Sequence, residues 1–323
     1  MRRDTTYRTK AGWLLATLML LAGCQQGPDV GQTEGGSLVL GSAEVQDTIT
    51  RAVAPGTRTL VLDGFSGQVT LRGADDEVAR LVFTKQARGR DAGEAQKNLE
   101  RIRIEERGDE QTYRYEMRAG RPEVSRVDVE GTVPRGIALQ IVLQSGNVAL
   151  DSLAGRIMVT NENGNVRITG AGAGVMVETA NGNLSLGMAR LPAGETVRLT
   201  TDNGTIVLAL PAGASARVEA GTRAGEIRVE GLDFADRSFE PQGAGGHFQG
   251  RLGTGAATVT LRTENGDIHL MEGALVVPPA DEAAPADTSG TPAALPSDTT
   301  TTTAPVDTAT APARIVPDTS GMR

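Results

Sequence analysis

Through the middle of the chain, apolar and polar residues alternate, and the alternation restarts after a glycine. Gly67 precedes Val69 and Leu71, Gly146 precedes Val148 and Leu150, and Gly155 precedes Ile157 and Val159. The same Gly-x-apolar-x-apolar element follows Gly164 (Val166, Ile168), Gly182 (Leu184, Leu186), Gly204 (Ile206, Leu208), Gly225 (Ile227, Val229) and Gly266 (Ile268, Leu270). A period of two predicts short strands with one buried face each.

The spacing of the glycines says how the strands are arranged. Gly146, Gly155 and Gly164 are nine residues apart, Gly182 follows eighteen after Gly164, and the next steps are 22 and 21. A strand of about five residues and a corner of about four fill nine positions, so two strands make one coil. Successive coils then stack at about 4.8 Å, which places Val148 on Val166 and Val166 on Leu184. The predicted fold is all-β: a β-solenoid, parallel β-helix-like, spanning residues 131–277. Its corners carry Asn163-Gly164, Asn181-Gly182, Asn203-Gly204 and Asn265-Gly266, residue types that accept left-handed backbone, and stacked asparagines can bond to one another in ladders. Asn-Gly is also a hairpin signal, so an antiparallel meander is the competing arrangement. The solenoid is favoured because the Asn-Gly corners alternate with softer ones such as Leu153-Ala154-Gly155.

Residues 37–130 are less regular. Leu60, Leu62, Val69, Leu71, Leu81 and Phe83 read as strands; Asp91 opens a helix carrying Ala92, Ala95, Leu99 and Ile102; Tyr113, Tyr115 and Met117 return to alternation. An open first coil would recruit other chains, so this segment is expected to be an N-terminal cap of strands and one helix.

The two ends read differently. Residues 1–23 begin with Arg2, Arg3, Arg8 and Lys10, continue through an apolar stretch from Trp13 to Leu21, and end in small residues, the order of an export signal. Leu21-Ala22-Gly23-Cys24 resembles the lipobox of bacterial lipoproteins. Cys24 is the only cysteine, and lipidation there would tie the chain to a membrane. Gln25 after it resembles the pattern exported to the outer membrane in Gram-negative bacteria, giving a cell-envelope location, periplasmic or surface-facing. Residues 24–36 would be a tether, and residues 278–323, rich in Pro, Ala, Thr, Asp and Ser with five threonines from Thr299 to Thr303, a disordered tail.

Composition narrows the function. Net charge is −8, and removal of the leader takes it to about −11, with no basic patch to meet nucleic acid. Aromatics are 3% of the chain and the only Trp lies in the leader, which suits a thin aliphatic interior rather than one large core. Of two histidines, His269 lies between Ile268 and Leu270 and turns outward, and His247 falls in the glycine-rich stretch Gly243–Gly250. With no His cluster and no free thiol after lipidation, neither a metal site nor a catalytic triad nor a bound cofactor is expected. Glu162, Asp202, Glu264 and Asp267 flank the Asn-Gly corners and are the candidate rim carboxylates for acid–base work or calcium, against a solvated rim as the simpler account. Arg107-Gly108-Asp109 is read as a charged turn.

The runs Val133-Pro134 to Ser145-Gly146-Asn147-Val148, Leu210-Pro211-Ala212-Gly213 to Gly225-Glu226-Ile227, and Gly253-Thr254-Gly255 to Glu264-Asn265-Gly266-Asp267-Ile268 resemble the bacterial "putative adhesin" family of β-strand repeat proteins over most of residues 58–272. The resemblance implies a β-solenoid at the cell envelope and supplies no catalytic residues. Three functions stay open: a non-enzymatic, lipid-anchored binding or scaffold domain that meets an envelope protein or polysaccharide; a polysaccharide-processing enzyme using the rim carboxylates; and an envelope-stress sensor or scaffold.

Overall fold

In the computed structural model, the structure describes residues 43–53, 56–109 and 111–275; Cys24, the tether and the tail lie outside them. The described chain forms two sheets, built mostly of parallel ladders, with one helix. The first strands are β1 (Ala43–Ala52), β2 (Thr59–Ser66), β3 (Val69–Ala74) and β4 (Arg80–Gly89), then helix α1 (Ala92–Glu100), β5 (Arg103–Gly108), β6 (Thr112–Arg118) and β7 (Ser125–Pro134). Four two-strand coils follow: β8 (Ala138–Ser145) with β9 (Val148–Asp151), β10 (Ile157–Asn163) with β11 (Val166–Ala171), β12 (Val175–Asn181) with β13 (Leu184–Met188), and β14 (Thr196–Asn203) with β15 (Ile206–Leu210). The remainder is β16 (Ala216–Ala224) and β17 (Ile227–Glu230), the hairpin β18 (Ala235–Gln242) and β19 (Gly245–Leu252), then β20 (Ala257–Asn265) and β21 (Ile268–Glu272).

Each coil gives one strand to each sheet, and all ladders between neighbouring coils are parallel. Val148, Val166 and Leu184 stand one above another, as do Val159, Val177 and Leu199. This is the solenoid, and the meander is excluded because hairpins would have made these ladders antiparallel. The interior is a thin aliphatic seam: Ile141, Val159, Ile168, Val177, Leu186, Leu199, Leu208 and Leu270 are all buried, each contributing about 1.5–3 kcal/mol on removal from water.

The stack is not in chain order. β2 and β3 lie between the coil β6/β7 and the coil β8/β9, and β20/β21 lie between β14/β15 and β16/β17. Gly225, which follows Gly204 in the repeat, therefore sits two coils away from it. The repeat carries no order information, because each element offers its neighbours the same apolar rungs.

Antiparallel strands finish both sheets at the N-terminal end and one sheet at the other, where the second sheet ends at β17, paired in parallel with β21. β4 pairs with β7, β1 with β4, and β5 with β6 at one end; β19 pairs with β16 and β18 with β19 at the other. The outermost strands carry charge, such as Glu44 and Asp47 on β1, Glu105 and Arg107 on β5, and Asp236 and Glu240 on β18, where Pro241 also removes a backbone donor, which discourages pairing with further chains. Helix α1 starts where expected. Asp91 accepts a hydrogen bond from the Glu94 N–H at 2.8 Å, and Ala95 and Leu99 are buried, whereas Ile102 lies just past the helix end.

Candidate functional site

The Asn-Gly corners form a continuous edge. At Gly164 the backbone takes φ +137°, and a Cβ there would come within 2.0 Å of the Gly146 carbonyl oxygen; at Gly204 φ is +154° and the approach to the Gly182 oxygen is 2.1 Å. Only glycine allows both that conformation and that contact. Stacking the corners brings Asn163, Asn181, Asn203 and Asn265 into line. The amide Nδ2 of Asn181 donates to Asn163 Oδ1, that of Asn203 to Asn181, and that of Asn265 to Asn203, each at 3.0 Å. Asn163 ends the ladder by donating to the Gln144 carbonyl at 3.3 Å.

Two further columns flank it. Inside, the hydroxyls of Thr201, Thr263 and Thr222 donate to the carbonyls of Gly182, Gly204 and Gly266 at 2.8–3.1 Å, and the Asn161 amide donates to Gly146 at 2.9 Å. Outside, the side-chain oxygens of Asn147, Asn165 and Asn183 accept the backbone N–H of the next coil at 2.8–2.9 Å. The repeated Thr-x-Asn-Gly at Thr201 and Thr263 and the Gly-Asn at 146–147, 164–165 and 182–183 are the signals for these columns, whereas Thr179, in the same motif, is buried with its hydroxyl unbonded; apolar alternation alone does not single them out.

The four candidate carboxylates do not converge. Glu162, Asp202 and Glu264 precede the ladder asparagines and share one outward row, with Asp202 and Glu264 on adjacent strands between the paired Thr201–Thr263 and Asn203–Asn265. Ala180 separates Glu162 from Asp202 along that row. Glu264 is ion-paired with Arg223. Asp267 lies beyond the corner and accepts the Glu226 N–H at 2.8 Å, the position that asparagine holds in other coils. His269 projects from the outer face beside Val207 and Arg228, and His247 is within 2.9 Å of Gln249 Nε2. In the Arg107-Gly108-Asp109 turn, Asp109 accepts the N–H groups of Gln111 and Thr112, and those two bonds hold its carboxyl below the usual range. Among the described residues, no group of three or more His, Cys, Asp or Glu side chains could hold a metal ion.

The broad faces carry open concavities. On the sheet containing β3, β9 and β11, an open trough of about 600 Å³ is lined by Thr70, Arg72, Glu130, Thr132, Asp151 and Arg167, among others. Burial works against ionisation of Asp151, but the bonds from Arg72 at 2.9 Å and Thr169 at 2.9 Å outweigh it and hold its carboxyl low. On the opposite sheet, Met158 and Met176 stack in register at 44% and 39% exposure and line a shallow groove of about 320 Å³ with Arg156 and Glu195.

A stack of two-strand coils, held at one edge by glycine corners and amide ladders and flanked at each end by antiparallel strands in at least one sheet, defines a β-solenoid. The Toastrack DUF4097 family profile matches residues 57–271, and the chain belongs to that family. Among solved structures, it is similar to a "putative cell adhesion protein" from Clostridium sporogenes, at 12% identity over 71% of this chain and 100% of that one, with a TM-score of 0.44. A "putative adhesin" from Bacteroides fragilis matches at 10% identity over 70% of this chain and 97% of that one, with a TM-score of 0.30. A third, from Parabacteroides distasonis, matches at 9% over 71% and 97%, with a TM-score of 0.23. No curated protein matches.

Proposed function

We propose that this is a lipid-anchored protein of the cell envelope whose solenoid binds or scaffolds another envelope component, protein or polysaccharide, without catalysing a reaction. One observation carries the non-enzymatic part: among the described residues, the four rim carboxylates are spread along one edge or already engaged, Glu264 by Arg223 and Asp267 by the Glu226 amide, and do not face one another across a cleft. The export signal and Cys24 support the anchor, and the trough and the methionine groove are surfaces on which a partner can lie.

The test is a cross-linked pull-down from intact cells comparing the wild type with Cys24→Ser. The wild type should fractionate with membranes and retain a discrete cross-linked partner; the variant should move to the soluble fraction and lose it. Turnover of any member of a glycan panel that disappears in Glu264→Gln would overturn the non-enzymatic assignment.

A further inference from the structure

The last coil of the chain is not the last of the stack: β20/β21 is wedged between β14/β15 and β16/β17, which precede it in sequence. The slot it fills is matched on both walls. Val259 lies between Val197 and Val218, Leu261 between Leu199 and Ala220, and Thr263 between Thr201 and Thr222. In the other sheet Ile268 lies between Ile206 and Ile227, and Leu270 between Leu208 and Val229.

Removing the wedge leaves walls that already fit each other. Val197 would face Val218, Thr201 would face Thr222, and Ile206 would face Ile227. In a parallel stack, closing the gap by one strand spacing of about 4.8 Å keeps every side chain on its own face. The corner also transfers, since a Cβ on Gly225 would approach the Gly266 oxygen at 2.1 Å, as one on Gly266 would approach that of Gly204. The wedge joins β19 through Gly253–Ala256, where Gly253 and Gly255 take φ +52° and +74°.

We infer that this solenoid has two in-register states: the one seen, with Ala257–Glu272 inserted, and a contracted one in which β16/β17 stacks directly on β14/β15 and the last coil is expelled. Chain order brings the contracted contacts together first, because residues 196–230 are contiguous and the wedge is more distant in sequence. Burial on two sides favours the inserted state at equilibrium. The inference concerns the fold itself and is independent of anchoring or partner.

Cysteines at Thr196 and Arg217 report the contracted state, in the full chain carrying Cys24→Ser. Both positions are exposed and pair with Thr258 from opposite sides, so in the inserted state they are two strand spacings, about 9.6 Å, apart, beyond the reach of a disulfide. Contraction brings them to about 4.8 Å. Adding Leu261→Asp and Ile268→Asp, both at fully buried positions, should expel the coil. The expected result is disulfide formation at least about tenfold faster than in the parent chain, with retained cooperative unfolding and new protease cleavage within residues 257–272. A second pair, Thr258→Cys with Arg217→Cys, should cross-link in the parent and lose that ability in the aspartate variant. Cysteines at 196 and 217 that stay reduced in the variant, cross-linking at the same rate in both chains, or loss of cooperative unfolding would each overturn the inference.

Discussion

The central coils and the N-terminal end solve the same problem with different chemistry. From β8 to β15 the interior is aliphatic and the edge is held by backbone and amide ladders. At the N-terminal end Phe83 and Tyr115 meet at 4.9 Å and Tyr113 and Tyr115 at 5.2 Å, and an ion pair between Arg51 on β1 and Glu106 on β5 links the two sheets. Beyond residues 1–23, every aromatic residue lies at residues 65–115 or 234–248, toward the two ends. A coil in the middle is covered by its neighbours and needs only small, regular side chains. An end has no neighbour, so it closes with large rings and charges.

The largest test of the contrast is backbone strain at a central corner. Gly204→Ala should cost about 3 kcal/mol or more, because the residue must keep φ +154° and its Cβ would overlap the Gly182 oxygen. Gly136→Ala, with nothing within 4 Å of the added carbon, should change stability by about 0.5 kcal/mol or less. Urea unfolding of both chains measures the difference, and equal midpoints would remove the corner from the account.

Phe83→Ala attacks the other region and should cost about 3–5 kcal/mol at a fully buried site. In a stack whose coils touch only their neighbours, the damage should stay local. Amide exchange should accelerate in β1, β4, β6 and β7 and remain slow in β12 to β15. Uniform acceleration would mean that the two regions unfold as one. A smaller effect, about 1–2 kcal/mol, is expected for Thr201→Val, which leaves the Gly182 carbonyl without its buried hydroxyl partner. Asn181→Ala should cost about 1 kcal/mol or less, since water can replace its exposed ladder bonds.

The sequence made the central coils legible to the rung, because a strand with one buried face announces itself by period two and a corner by its glycine. Val148 on Val166 and Val166 on Leu184 follow from the eighteen-residue step alone. Helix α1 was legible from Asp91 and the apolar spacing after it. What the pattern hides is which coil neighbours which. Gly225 and Gly266 introduce the same motif, so the insertion of β20/β21 between β14/β15 and β16/β17 leaves no local mark in the sequence. The carboxylate row is half legible. Sequence spacing groups Glu162, Asp202, Glu264 and Asp267, but only the three-dimensional order shows Asp202 beside Glu264, Arg223 neutralising that end, and Asp267 serving the backbone.

Acid should separate the two regions by the smallest margin. Glu94 accepts hydrogen bonds from the Arg90 guanidinium and the Arg90 backbone N–H, both at 2.9 Å, and from Arg121 at 3.1 Å. The Arg90 side-chain bond is the main cause, with the backbone bond next, and together they push the Glu94 carboxyl from 4.5 down to about 2. A carboxylate whose value is depressed on folding favours the folded state above its unfolded value, and that contribution fades as pH falls from about 4.5 to about 2. The site is solvent-accessible, so the effect is small and local to the start of α1. Carboxyl NMR should give Glu94 a midpoint near 2, with amide exchange in α1 rising as pH falls from about 4.5 toward that midpoint while β12 to β15 hold. Glu94→Gln should remove the acid dependence of α1 exchange. A Glu94 midpoint near 4.5 would show that the charges at this end leave α1 as indifferent to acid as the ladders at the centre.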